Sequence, residues 1–204
     1  MQKKIGLCLL LFALQASATT ALQQLHRLLD PVHTLKADFT QTTLSPEGLV
    51  VSTAKGQLQI KRPGKFYWRT TQPGKQTIVI NDKQLWLFDE DLQQVTKKKL
   101  SKDTMVLSPA SLLSGDLQLL SKNYRISLGV NGSESVIRVA TQSNQSAVQW
   151  VELSYEKRIL KGLRFKNKLQ QVTTIRFNHV QLNGRLKNSI FQFSLPPGVD
   201  LLGD

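Results

Sequence analysis

Side chains suited to acid–base or metal chemistry are sparse in this sequence. There are three histidines, His26, His33 and His179. His26 and His33 have no cysteine or glutamate nearby at ligand spacing, so both read as partly exposed histidines without a chemical role. Asp89, Glu90 and Asp91 are consecutive and fall at a predicted turn. A general acid–base pair needs environments that separate two carboxyl pKa values, and neighbours in a solvated turn do not have them. The sequence contains no glycine-rich phosphate loop, nucleophile elbow or HExxH helix. No catalytic residue, metal site or cofactor is therefore expected, and the chain does not read as an enzyme.

A different kind of site is suggested by the stretch IKRPGKFYWRT, Ile60 to Thr70, in which Phe66, Tyr67 and Trp68 are consecutive. On a strand Phe66, Trp68 and Thr70 share one face, and Tyr67 and Arg69 share the other. Trp86 and Phe88 alternate with Leu85 and Leu87 in the same two-sided way. Apolar residues on both faces fit a thick core, or a sheet with one face on the core and the other lining a cavity or lying under a helix. Arg62 precedes Pro63, which favours extended backbone and gives the arginine a fixed exit from the strand end. Its five N–H donors match the unsatisfied carbonyls at a helix end. Two readings stay open: an exposed arginine, or a latch from the sheet rim to a helix.

Elements that would position these residues follow from periodicity. Thr20 with Gln23 three residues later reads as a helix start. Leu22, Leu25, Leu28 or Leu29, and Val32 then recur at helical spacing, with Pro31 ending or kinking the helix. From Ala37 the period becomes two: Ala54, Gly56, Leu58 and Ile60 alternate with polar residues. Similar runs follow at 65–71, 77–80, 84–88, 125–130, 136–141, 148–155, 163–168, 171–180 and 190–195. Turn signals stand at Pro73-Gly74, Asn81-Asp82, Asn131-Gly132 and Asn183-Gly184. Ser108 and Pro109 open a short second helix through Leu113. About ten short strands with few helices predict one mainly β domain, an antiparallel barrel or sandwich.

The compartment is read from residues 1–18. Lys3 and Lys4, an apolar run and Ala16-Ser17-Ala18 form a signal peptide, expected to be cleaved to leave residues 19–204 as a single domain. Cleavage removes Cys8, the only cysteine, and lowers the net charge of +13 by two. An exported protein is not expected to meet nucleic acid, so its positive charge points to an anionic membrane surface or an acidic protein. Lys97, Lys98, Lys99 and Lys102 form one basic run; Arg164, Lys166 and Lys168 form another, with Phe165 on the opposite strand face. A solvated outer face and a docking face both fit that pattern.

The segments KADFTQTT, GQLQIKRPGKFYWRTTQP, TIVINDKQLWLFDEDLQQVT, LSPASLLSGD and FQFSLPPGVDLL together resemble the outer-membrane lipoprotein carrier protein (LolA) family. The resemblance implies an unclosed antiparallel β-barrel (mainly β, α+β) with an α-helical lid over a hydrophobic cavity. It implies a soluble periplasmic carrier, monomeric, that takes acylated lipoproteins from an inner-membrane ATP-driven (ABC) transporter and passes them to an outer-membrane receptor. Phe66 and Trp68 match cavity aromatics, with Leu58, Ile60 and Trp86 expected beside them. Leu112 and Leu113 match the lid, joined by Leu25 and Leu28, and Arg62 matches the latch. Pro31 departs from a family helix that is usually continuous, so a shorter or kinked lid element is expected. The alternative is a periplasmic lipid-sensing or glycolipid-binding module of similar fold. A sensing module is usually joined to a second domain, whereas this chain stops soon after its last predicted strand.

Overall fold

Residues 20–81, 84–100, 107–115, 124–142 and 146–203 are described by the computed structural model of the chain. The predicted signal peptide, Cys8, Asp82 and Lys102 lie outside these residues.

The first helix, α1, spans Ala21–Leu29. It begins where the sequence places it: the Thr20 hydroxyl accepts from the Gln23 amide, and the Gln23 side chain accepts from the Thr20 amide, at 3.2 and 3.0 Å. Such a cap is worth about 1 kcal/mol. The helix stops at Leu29, two residues before Pro31, and buries Leu25, Leu28 and Leu29. The second helix, α2, spans Pro109–Ser114, capped by Ser108 and Ser111 in the same reciprocal way, and buries Leu112 and Leu113. Among the described residues, no helix is long and apolar enough to cross a membrane.

The strands are β1 (Thr34–Leu44), β2 (Val50–Lys61), β3 (Lys65–Gln72), β4 (Gln76–Ile80), β5 (Gln84–Asp89), β6 (Gln94–Lys99), β7 (Tyr124–Asn131), β8 (Glu134–Thr141), β9 (Val148–Glu156), β10 (Ile159–Asn167), β11 (Val172–Leu182) and β12 (Asp200–Leu202). They form one sheet in the order β12-β6-β5-β4-β3-β2-β1-β11-β10-β9-β8-β7. All neighbours are antiparallel except β12, which runs parallel to β6. The sheet is unclosed, with β12 and β7 at its two edges.

Register decides which side chains meet. One row runs Leu35, Ile60, Phe66, Ile80, and the next runs Ala37, Leu58, Trp68, Ile78. In the other half of the sheet Ile137, Leu153, Leu163 and Ile175 line up across β8 to β11. These rows form the inner face. They join Leu25, Leu28, Leu29, Leu112 and Leu113 of the helices in a single apolar cluster. The mainly β architecture predicted from the two-residue period is the one found.

A second, smaller core lies on the outer face of β3 to β6. Val79, Val95 and Phe191 are buried there. The C-terminal segment covers them: a 3-10 turn at Asn188–Phe191 is followed by an extended stretch and by β12. The strand expected at 190–195 is therefore not a strand. Phe191 and Phe193 alternate as a strand would, but they point into the outer face, and Pro196-Pro197 have no amides to donate to a ladder. The strand beyond, at 200–202, escaped prediction because three residues carry no readable period.

Asn183-Gly184 is likewise not a hairpin turn. Asn183 follows β11 and ties down the link between α1 and β1. Its side-chain oxygen accepts from the His33 amide at 2.8 Å, and its amide nitrogen donates to the Pro31 carbonyl at 2.9 Å.

Candidate functional site

Arg62 stands at the end of β2, where the inner face meets the C-terminal ends of both helices. Its Nη1 donates to the Leu29 carbonyl at 3.4 Å and its Nη2 to the Gly115 carbonyl at 3.1 Å. Leu29 closes α1 and Gly115 caps α2, so one guanidinium bonds to both helix ends. Those carbonyls have no partner within their helices and carry the negative end of the helix dipole, which suits a cation. The backbone on either side adds two links: the Arg62 amide donates to His33 at 2.8 Å, and the Gly64 amide to Ser114 at 2.7 Å. Of the two readings open for Arg62, the geometry is that of a link between sheet rim and helices.

Beneath the helices the inner face presents Leu58, Ile60 and Phe66, all buried, and Trp68, half-buried. Trp68 stacks on Phe39 with ring centroids 3.7 Å apart and on Phe66 at 6.3 Å. Its indole N–H donates to Thr70 at 3.3 Å. Gly56 makes the Phe39 stack possible: a Cβ there would run into the Arg69 carbonyl and lie 2.7 Å from the Phe39 ring. Phe39 is the aromatic that sequence reasoning passed over, although Leu35, Ala37 and Phe39 alternate along β1.

Trp86, expected among the cavity residues, is on the other side of the sheet. It pairs with Val79, which pairs with Tyr67, whereas Phe66 pairs with Ile80 and then Leu85. The inward residues of β5 are thus Leu85 and Leu87. Trp86 packs on Phe193 at 5.2 Å, with the Lys97 ammonium 5.0 Å from its ring centre. The two-sided apolarity around Phe66 and Trp86 has two causes: helices cover the inner face, and the C-terminal segment covers the outer one.

Among the described residues the helices pack directly on this face. A crevice among Leu28, Leu29, Val32, Ile60, Leu113 and Tyr155 has a free volume of about 10 Å³, room for one water at most. At its wall the Tyr155 hydroxyl is buried and has no hydrogen-bond partner. Burial pushes this phenol well above its ordinary pKa, and the Arg62 charge offsets only part of the shift. It is therefore a neutral group, held in an apolar place.

The residues first considered for chemistry have other duties. His26 bonds Asp30 at 2.9 Å and His179 bonds Asp38 at 2.8 Å. Asp89 accepts two amides of its turn, Asp91 accepts the Lys75 amide, and Glu90 pairs with Arg69 at 2.9 Å. Among the described residues no three His, Cys, Asp or Glu side chains gather as a metal site.

Known proteins resemble this chain along most of its length. The family model described as outer membrane lipoprotein carrier protein LolA matches residues 30–194. An outer-membrane lipoprotein carrier protein of Pseudomonas paraeruginosa is 34% identical over 187 residues, covering 92% of this chain and 89% of that protein. One from Nitrosospira multiformis is 32% identical over 201 residues, covering 97% of each. Among solved structures, an uncharacterized conserved protein from Thermus thermophilus superposes with a TM-score of 0.52 at 11% identity, covering 89% of this chain and 96% of that one, a likeness of fold. The family match runs from β1 through β11 and includes α2 and Arg62, and by it and by these relatives this chain belongs to the outer-membrane lipoprotein carrier protein family, a family of carriers rather than enzymes.

Proposed function

We propose that the protein carries acylated lipoproteins through the periplasm, accepting them from an inner-membrane ABC transporter and delivering them to an outer-membrane receptor as a monomer. Leu58, Ile60, Phe66 and Trp68 are the surface that acyl chains occupy, and α1 and α2 are the lid. The observation that carries this reading is the pair of bonds from Arg62 to Leu29 and Gly115. Together with the Gly64–Ser114 and Arg158–Arg27 bonds they hold a helical cover whose buried face is apolar, and apolar contacts are what an acyl chain replaces.

Magnitudes support a passive carrier between two active partners. Each buried methylene is worth about 0.8 kcal/mol, so a multi-acyl anchor leaves a bilayer very slowly unaided. In the carrier, opening exposes five lid leucines and loading buries the anchor. The two burials nearly cancel, which leaves the affinity intermediate. Loading then requires work from the transporter, and unloading requires a receptor that binds more tightly.

The test is a release assay. Purified mature protein is added to energised spheroplasts, and newly made lipoproteins are sought in the supernatant as a one-to-one complex. Their appearance supports the reading. If nothing is released while native mass spectrometry finds a bound lipid, the cavity serves another amphiphile, and the glycolipid-binding or lipid-sensing alternative replaces it.

A further inference from the structure

The outer face of the sheet has a second pattern at the end of β1 and β2 remote from Arg62. Val50, Leu44, Val172, Lys166 and Trp150 form one row across five strands. Two residues along, roughly 7 Å away, the next row contains Arg164, Glu152 and Arg138. Both guanidiniums lie over the Trp150 ring, at 5.9 and 4.5 Å, and both bond Glu152, which is nearly buried beneath them. Beyond the first row two turns project. The β1–β2 hairpin exposes Leu49, Val50 and Val51 at 69, 62 and 50%, and the β10–β11 turn exposes Leu169 at 71% beside exposed Lys168. The carboxylates here are Glu152 and Glu47, the latter on the hairpin accepting from Ser45.

We propose that this edge docks the protein on the surface of an anionic phospholipid bilayer. Leu49, Val50, Val51 and Leu169 enter the headgroup region, Trp150 sits at its boundary, and Lys166, Lys168, Arg164 and Arg138 reach the phosphates. The order of apolar tip, aromatic and cation reproduces the depth profile of a membrane interface. An acidic protein would satisfy the cations but would need a groove for two protruding turns. Leu44 lies nine positions along β1 from Leu35, which neighbours Arg62, so the helices stand about 30 Å from the docked edge. The inference does not depend on the cargo: an empty carrier would dock in the same way.

The experiment is flotation of the mature protein with phosphatidylcholine vesicles, with and without phosphatidylglycerol. Binding is expected only with the anionic lipid and is lost at high salt. Lys166→Gln and Lys168→Gln each weaken it roughly fivefold, and Leu49→Asp with Leu169→Asp abolishes it without changing thermal stability. Val130→Asp, on β7 at the opposite end and 80% exposed, leaves binding unchanged. Equal binding to neutral vesicles, no binding to either kind, or the same loss from Val130→Asp overturns the proposal. So does capture of the purified receptor through these residues by a protein that never floats with vesicles.

Discussion

Trp68 and Trp86 stand on opposite faces of the same sheet. Trp68 is stacked on Phe39 under the helices, and Trp86 is stacked on Phe193 under the C-terminal segment. Each tryptophan therefore reports on a different cover. The face beneath α1 and α2 is expected to tolerate apolar change but no charge. Phe66→Glu should fold and remain soluble, since the lid is displaced from a hydrated carboxylate at modest cost, yet take up no cargo. Normal lipoprotein transfer by this variant would remove Phe66 from the site.

Trp86→Ala should do the reverse. It removes the ring against which Phe193 packs and loosens the C-terminal segment, costing about 1–3 kcal/mol for a half-buried aromatic. Thermal melting should show the loss, while lipoprotein release from spheroplasts, corrected for folded protein, stays at the wild-type level. A selective loss of release would return Trp86 to the cavity.

Arg62→Leu leaves the carbonyls of Leu29 and Gly115 without this donor. The closed state loses about 1–3 kcal/mol, and the loaded state loses little, so cargo binds but is handed on slowly. Arg62→Lys should fall between, because an ammonium keeps the charge but lacks the fork that spans two acceptors. Single-turnover transfer to the receptor orders the three proteins; equal rates would end the latch reading.

Tyr155 gives a pH signature. Its phenol is raised in the folded protein, so the folded chain keeps a proton that the unfolded chain loses above about pH 10. Stability contributed by this group is thus intact at neutral pH and falls as pH rises past that value. Tyr155→Phe removes the slope and also deletes a buried hydroxyl without a partner, raising stability near neutrality by about 1 kcal/mol. Denaturant midpoints measured from neutral to alkaline pH separate the two effects.

Gly56→Ala places a methyl against the Arg69 carbonyl and the Phe39 ring. The backbone cannot yield cheaply, so a cost of about 1–3 kcal/mol is expected. Displacement of the Phe39–Trp68 stack should be visible in tryptophan fluorescence before unfolding begins.

Much of this was legible in the sequence because it is local. The Thr20–Gln23 box, the stop before Pro31, the Ser108–Pro109 helix start and the alternation of Leu58 and Ile60 each depend on residues a few positions apart. Arg62 could be offered as a latch because its proline neighbour and its donor count are readable directly. What failed was relational. Alternation says that Phe66 and Trp68 share a face and that Trp86 and Phe88 share one, but not that the two faces differ; that needs the pairing through Ile80 and Val79. The C-terminal segment was misread for a related reason: Phe191 and Phe193 alternate like a strand while making no ladder, because their partners are side chains of the outer face.

The leucines of both helices pack directly on the inner face, with a crevice of only about 10 Å³ among Leu28, Leu29, Ile60, Leu113 and Tyr155. On the proposed function, these five leucines act as an intramolecular competitor for the acyl-binding face. Cargo must outcompete that occupant. An empty carrier would on that reading be protected from stray lipids by self-competition.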